Sequence, residues 1–535
     1  MQLLPKLLAL ACLLFSSLAQ AAIDPTLLQP LSGDNPEARV AAVGQIAALA
    51  TPEAARVLQA LQADTLYATP GGQVLIVDGD GAQAYDPATG KSGPAPDGID
   101  GVMVNNRLRG VVEGALSGLK LLAPQRETRL AAARELQKAV SPAQLALIRK
   151  ALAQETDTEI KQMLQVLIAS ANLHAPDAAT RKQAVRDLAV SSDARLIAPL
   201  QAMLDKGPDG KPGEPDDAVR IAAVDTIAQI RGRVQRTEFV GNIFYGLSLG
   251  SVLLLAALGL AITFGLMGII NMAHGELLMI GAYTTYLCQL FFRSYLPGMQ
   301  DWYLLAALPA AFFVAGMVGV VLERTVIRWL YGRPLETLLA TWGISLILMQ
   351  LVRTIFGAQN VEVANPAWMS GGVTVLGSLV LPYNRIAIIA FAMLVVVAVW
   401  LILNKTRLGL FVRAVTQNRR MADCVGVATG KVDMLTFGLG SGIAGLGGVA
   451  LSQLGNVGPD LGQSYIVDSF MVVVLGGVGQ LAGTVIAALG LGEVNKFLEP
   501  VAGAVLAKIA ILVFIIIFIQ RRPQGLFAMK GRSVE

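Results

Sequence analysis

Three cysteines and two histidines are all that this 535-residue chain contains, and only 15% of its residues are charged. Cysteines at positions 12, 288 and 424 are too few and too scattered for a disulfide scaffold. His174 and His274 stand far apart without further ligands nearby, so no metal and no cofactor is expected. No nucleophile–base pair appears, which argues against an enzyme. A formal charge of +4 without an aromatic-laced basic patch argues against nucleic acid. A soluble protein carries about a quarter charged residues, so the shortage needs a location. Up to Arg236 there are 49 charges; from Thr237 onward there are 31 in a longer stretch. The first half has soluble composition and the second has membrane composition.

What is present begins with an address. Lys6 precedes an apolar run from Leu7 to Leu18, and Ala19-Gln20-Ala21 follows with the small-x-small pattern of a signal-peptidase site. Residues 1–21 therefore read as a removed secretory signal. A first membrane helix is the alternative, but the run is short for a ~30 Å hydrocarbon core.

Residues 22–236 then form an exported domain without cysteine. Four stretches share one pattern: EARVAAVGQIAALATPEAARVLQAL, RETRLAAARELQKAVSPAQLALIRKAL, TRKQAVRDLAVSSDARLIAPLQAML and AVRIAAVDTIAQI. Each opens on Arg and small residues and continues with apolar residues at three-and-four spacing, as in a helix–turn–helix unit. The last two resemble HEAT-type helical repeats, with Arg181, Asp193 and Arg220 at family-like positions. An ordinary helical bundle is the alternative. Between the first two stretches, TLYATPGGQVLIVDGDGAQAYDPATG predicts a small β-hairpin insert. Asp78, Asp80 and Asp86 lack EF-hand spacing and read as turn residues.

From Gly241 apolar runs follow one another. Nine crossings are expected near 241–263, 266–292, 302–323, 335–357, 384–403, 432–455, 466–479, 481–498 and 502–520, within a range of about 8–10. With the first run starting outside, Arg324, Arg328, Arg333, Lys405, Arg407, Arg413, Arg419, Arg420, Arg521, Arg522, Lys530 and Arg532 all fall inside. The stretch between Gly357 and Asn384 falls outside and has no Lys or Arg. The fold class is thus all-α: a polytopic helical membrane domain (237–535) after a helical-repeat domain.

Small residues four apart mark tight helix packing: Gly438 with Gly442, Ser441 with Gly445, Ala444 with Gly448, and Gly479 with Gly483. Polar residues in these runs are sharper signals. Asn271, His274 and Glu276 lie in INMAHGELLMIGAY, and a buried carboxylate in a membrane is a functional hypothesis by default. Two readings stand: a polar cap over a helix break, or part of a substrate path. Thr341 and Ser345 are of suitable chemistry for the same path. Asp468, Glu493, Gln350 and Arg353 are weaker members of the class. The basic inner loop 404–431 reads as amphipathic turns ending at glycine, either a solvated loop or a docking element. Gly426, Gly430 and Lys431 fall one residue short of a phosphate loop, and Val432 replaces its Ser or Thr.

FGLMGIINMAHGELLMIGAY, ETLLATWGISLILMQ, LGLFVRAVTQNRRMADCVGV, FMVVVLGGVGQLAGTVIAA and RPQGLF together resemble the branched-chain amino acid permease family of ABC importers. The resemblance runs from about Gly241 to Phe527. It implies that the 404–431 loop meets a cytoplasmic ATPase, with the family pattern falling on Arg413, Ala414, Asn418, Ala422 and Gly426. The exported half, with YDPATG and VNNRLR, is similar to that of urea permeases within the family. That similarity implies an inner-membrane importer of urea. Its partners would be a second permease subunit, two ATP-binding subunits and a periplasmic binding protein. A branched-chain amino acid or short amide is the alternative substrate, and a passive urea channel is a further alternative.

Overall fold

The computed structural model describes residues 23–527 except 34, 78–82, 97, 138–143, 207–209, 211 and 376–378. The expected signal at 1–21, Asp78, Asp80, Lys530 and Arg532 lie outside the described residues. The chain divides into two compact units between Gln235 and Arg236.

In the first unit, helix starts are set by polar caps. Asn35 caps α2 (Pro36–Leu49), after α1 (Pro25–Ser32), and Thr51 caps α3 (Pro52–Gln62). After the strands come α4 (Asn106–Lys120), α5 (Arg126–Leu136), α6 (Leu145–Gln154), α7 (Thr158–Asn172), α8 (Ala178–Leu188) and α9 (Ile197–Leu204). The first part of α10 (Asp217–Met267) closes the unit. The first three repeat stretches are the pairs α2–α3, α5–α6 and α8–α9, and the fourth opens α10.

One device recurs at the helix starts. Arg129 donates to the carbonyls of Ala123 and Pro124, Arg181 to those of Ala175 and Pro176, and Arg220 to those of Glu214 and Pro215. Each arginine reaches back six and five residues and closes the preceding turn. Two of them also grip a buried carboxylate: Arg129 holds Glu155 at 2.9 Å and Arg181 holds Glu214 at 2.7 Å. These arginines hold the Glu155 and Glu214 carboxyls below the usual carboxylate range. Leu136, Ile148, Ile160 and Leu164 fill one apolar cluster, and Val185, Leu188, Leu200, Val219 and Ile227 fill another.

The expected hairpin is larger. Strands β1 (Leu66–Ala68), β2 (Val74–Val77), β3 (Gln83–Asp86), β4 (Lys91–Pro94) and β5 (Asp100–Gly101) form an antiparallel sheet in the order β4-β3-β2-β1-β5. Only β2 is buried throughout; β4 and β5 are exposed and lack apolar alternation. Backbone pairing recruits them, and hydrophobic pattern does not announce such strands. Asp86, expected in a turn, is the last residue of β3, and its carboxylate closes the turn that follows by accepting from Ala88 N–H and the Thr89 hydroxyl.

The second unit holds the rest of α10, then α11 (His274–Tyr295), α12 (Tyr303–Thr325), α13 (Pro334–Phe356), α14 (Tyr383–Lys405), α15 (Arg407–Gln417), α16 (Arg419–Cys424), α17 (Thr429–Ser452), α18 (Leu461–Gly476), α19 (Leu481–Ala502) and α20 (Ala504–Arg521). A second hairpin, β6 (Gly372–Val375) with β7 (Leu379–Pro382), precedes α14. The chain is mostly helical, as expected, and the sheet content exceeds the one small hairpin insert by the additional strands of the first sheet and by this second hairpin. A helix corresponds to each of the nine expected crossings, with α18 beginning earlier than 466. Among the described residues, seven helices are long and apolar enough to cross a membrane, and α11 and α18 are not among them. At 16 residues α18 spans about 24 Å, shorter than the hydrocarbon core. Helix α11 carries His274, Glu276, Gln289 and Arg293, which lower its hydropathy, and packs on α12, α17 and α18.

Candidate functional site

Helices α10 and α11 are separated by a break at Gly268–Ala273, where Gly268 takes φ +69°. A break exposes backbone donors that apolar surroundings cannot satisfy. The Asn271 side-chain oxygen accepts from Ala273 N–H at 3.0 Å, and the Thr341 hydroxyl oxygen accepts from Met272 N–H at 3.1 Å. Thr341 therefore ties α13 to the break across the unit.

The first turn of α11 is held on three sides. His274 Nε2 lies 2.8 Å from the Ala256 carbonyl of α10. Gly275 abuts Gly462 of α18, where a Cβ would meet the Gly462 carbonyl oxygen at 2.5 Å. Ser345 of α13 donates to Glu276 Oε1 at 2.9 Å. All five path candidates thus meet around one break, and none is more than 4% exposed. Their hydrogen bonding is incomplete: Asn271 Nδ2, His274 Nδ1 and Glu276 Oε2 are buried without a protein partner. An amide donor, an imidazole nitrogen and a carboxylate oxygen thus stay unsatisfied around the break. Thr337, one turn before Thr341 and equally buried, completes a polar stripe. Sequence reasoning passed over it, although the four-residue spacing of Thr337, Thr341 and Ser345 is its signal.

The weaker candidates separate. Gln350 and Arg353 lie on the exposed face of α13. Asp468 pairs with Lys508 of α20 at 3.1 Å. Glu493 lies against Gly246, with Oε2 unpartnered.

Close packing surrounds the site. On α17, Gly438 faces Val320, Gly442 faces Phe312, Gly445 faces the Ala311 carbonyl and Gly448 faces the Leu278 carbonyl. Three of these contacts are to α12 and the last is to α11. Gly483, in the first turn of α19, faces the Gly476 carbonyl of α18. Gly479 differs from the spacing argument. It sits in the turn between α18 and α19 at φ +81°, against Gly265, so it does not share a helical face with Gly483.

The loop between α14 and α17 folds as two helices, α15 and α16. Arg413 donates to the Leu403 carbonyl at 2.9 Å, fastening α15 to the end of α14. The Ala414 carbonyl accepts from Asn418 N–H, and the Asn418 side chain caps α16 through Met421 N–H. Ala422 is buried, while Gly426 ends the helix at φ +86°. Leu410, Phe411, Met421 and Val425 remain exposed. Sequence reasoning missed what anchors this loop. Arg419 pairs with Asp433 of α17, and its guanidinium lies 4.7 Å from the Tyr331 ring centre. Nothing local in the sequence signals contacts between residues so far apart.

The family model for the permease component of branched-chain amino acid transport systems matches residues 242–520. The high-affinity branched-chain amino acid transport system permease protein BraD of Pseudomonas aeruginosa is 28% identical over 295 residues, 54% of this chain and 95% of BraD. The corresponding LivH of Escherichia coli is 31% identical over 262 residues, 48% of this chain and 84% of LivH. The ribose import permease RbsC of Escherichia coli is 29% identical over 136 residues, 22% of this chain and 42% of RbsC. No solved structure matches. The break with its polar cluster, the two-helix loop and the glycine-packed helices all lie inside the matched residues, and the chain belongs to the branched-chain amino acid transport permease family.

Proposed function

We propose that the chain is the permease subunit of an ATP-driven importer in the bacterial inner membrane, and that its substrate is urea. The observation that carries the path assignment is the convergence of Asn271, His274, Glu276, Thr341 and Ser345 on one helix break, with three buried polar atoms unpartnered. Urea is neutral, planar and rich in hydrogen-bonding groups. Glu276 Oε2 accepts from its N–H groups, and Asn271 Nδ2 donates to its carbonyl. A sister permease completes the path, and a periplasmic binding protein delivers the substrate. The helices α15 and α16 receive motion from two ATPases through Arg413, Ala414, Asn418, Ala422 and Gly426. Residues 22–236 form a HEAT-like exported domain that docks the binding protein.

A second reading keeps the importer and changes the substrate to a branched-chain amino acid. The names of BraD and LivH favour it. It requires apolar contacts with separate groups for ammonium and carboxylate. Uptake of labelled urea and labelled leucine, in a strain lacking this gene and in the complemented strain, separates the two. Loss and restoration of urea uptake alone is the expected result; unchanged urea uptake with lost leucine uptake gives the substrate to the second reading. Urea uptake that persists without the ATPases would make the protein a channel.

A further inference from the structure

We propose that Arg419 is a transmission residue, linking the α15–α16 loop to the helix break through Tyr331 and the apolar cluster beneath it. The inference rests on the importer reading above. Arg419 opens α16, and its side chain is 45% exposed, yet it ends on Asp433, whose side chain is only 3% exposed. Its guanidinium lies 4.7 Å from the centre of the Tyr331 ring. The Tyr331 hydroxyl is 3.5 Å from Glu323 Oε1 at the end of α12. One arginine therefore touches α17 near its start and the turn that follows α12. These are the two helices that pack through Gly438, Gly442 and Gly445.

The Tyr331 ring continues inward. It packs with Ile269, Ile327 and Phe437 in a small apolar cluster. Ile269 belongs to the α10–α11 break, one residue from Ile270, whose carbonyl faces Thr341, and two from Asn271. The links from Arg419 to the break are thus a cation–ring contact with Tyr331 and the apolar packing of Tyr331 on Ile269, with the ion pair to Asp433 beside them. Helices locked by backbone contact shift as bodies, because packed cores are not continuously deformable. A push on α16 therefore reaches the break as a displacement of α12 and α17, whereas an untethered α16 would move alone.

The test uses the complete transporter, purified with its ATPases and binding protein and reconstituted in vesicles. Cys288 and Cys424 are replaced by Ser, and Ser345→Cys reports on the site through its labelling by a thiol reagent, with and without ATP and vanadate. In the otherwise unchanged protein, nucleotide should change the labelling rate. In Arg419→Ala and Asp433→Asn that change should fall about tenfold, while ATP hydrolysis and subunit co-purification stay within about twofold. Arg419→Lys should keep part of the response, and the charge-reversed pair Arg419→Asp with Asp433→Arg should restore part of it. A full nucleotide response in Arg419→Ala overturns the inference and leaves the importer reading standing. Loss of the ATPases from the purified variants overturns it in favour of a docking role. No nucleotide response in the reporter protein, together with no ATP-driven uptake by the protein that keeps Ser345, Cys288 and Cys424, overturns the importer reading itself.

Discussion

Buried carboxylates here fall into two kinds, and the completeness of their hydrogen bonding separates them. Around the break, Ser345 supplies one oxygen of Glu276 with a donor and leaves the other bare. A buried acceptor without a partner is costly, and under the proposed path a bound substrate would offset that cost at Glu276. In the first unit the opposite holds: Glu155 is held by Arg129 and by the N–H groups of Thr156 and Asp157. Because Arg129 depresses the Glu155 carboxyl, its contribution is full above the unfolded-state value of about 4.3 and fades as pH falls through the lower folded-state value. Amide protection in α5 and α7 of the purified full-length protein, taken against the intrinsic exchange rate at each pH, should therefore fall below about pH 4.5. Glu155→Gln should lose up to about 3 kcal/mol of protection already at pH 7 and show a flatter acid response. A variant as protected as the unchanged protein at both pH values would remove the ion pair from the stability of this unit. The position of Arg129 near a helix start was legible in the sequence. Its partner Glu155 was not, since only the folded repeat brings residues 26 apart together.

Between elements, the decisive contacts are backbone against backbone. A Cβ on Gly448 would collide with the Leu278 carbonyl of α11, two residues beyond Glu276. Gly430, at the start of the same helix, has open space around it. Gly448→Ala should therefore destabilise the purified protein by about 1–3 kcal/mol and disturb the site through α11, whereas Gly430→Ala should be neutral or slightly stabilising. Thermal unfolding in detergent, compared between the two variants, measures this; equal midpoints would mean that α17 and α11 can separate without cost. The four-residue spacing of small residues was visible along α17. Which neighbour each glycine admits was not, and for Gly479 the spacing misled. Its turn at φ +81° takes it off the helix, and periodicity alone cannot see a helix end between two apolar runs. The extra strands β4 and β5 escaped for a related reason: their pairing is by backbone, and their side chains carry no pattern.

For the molecule as a whole, the family match covers residues 242–520 and leaves the first unit to be explained. Within it, three arginine-closed turns recur, two of them with a buried Arg–Glu pair. If that unit docks a binding protein, deletion of residues 24–230 should lower urea uptake most at low substrate concentration, where delivery limits the rate, and little at high concentration. Normal uptake at both, with the shortened protein present in the membrane, would leave the docking role without support. The division of the chain, the nine apolar runs and the motifs of the permease family follow from the sequence alone. Composition and periodicity report what each segment must avoid or seek: water, lipid or a neighbour. The sequence also marked Asn271, His274 and Glu276, because polar groups in an apolar run are conspicuous wherever they point. Only the tertiary structure decided that Thr341 and Ser345 close on that break, that three polar atoms there stay unpartnered, and that Arg419 reaches Asp433 and Tyr331. Those facts depend on which helices touch and at what register, and residues dozens of positions apart carry no local trace of that.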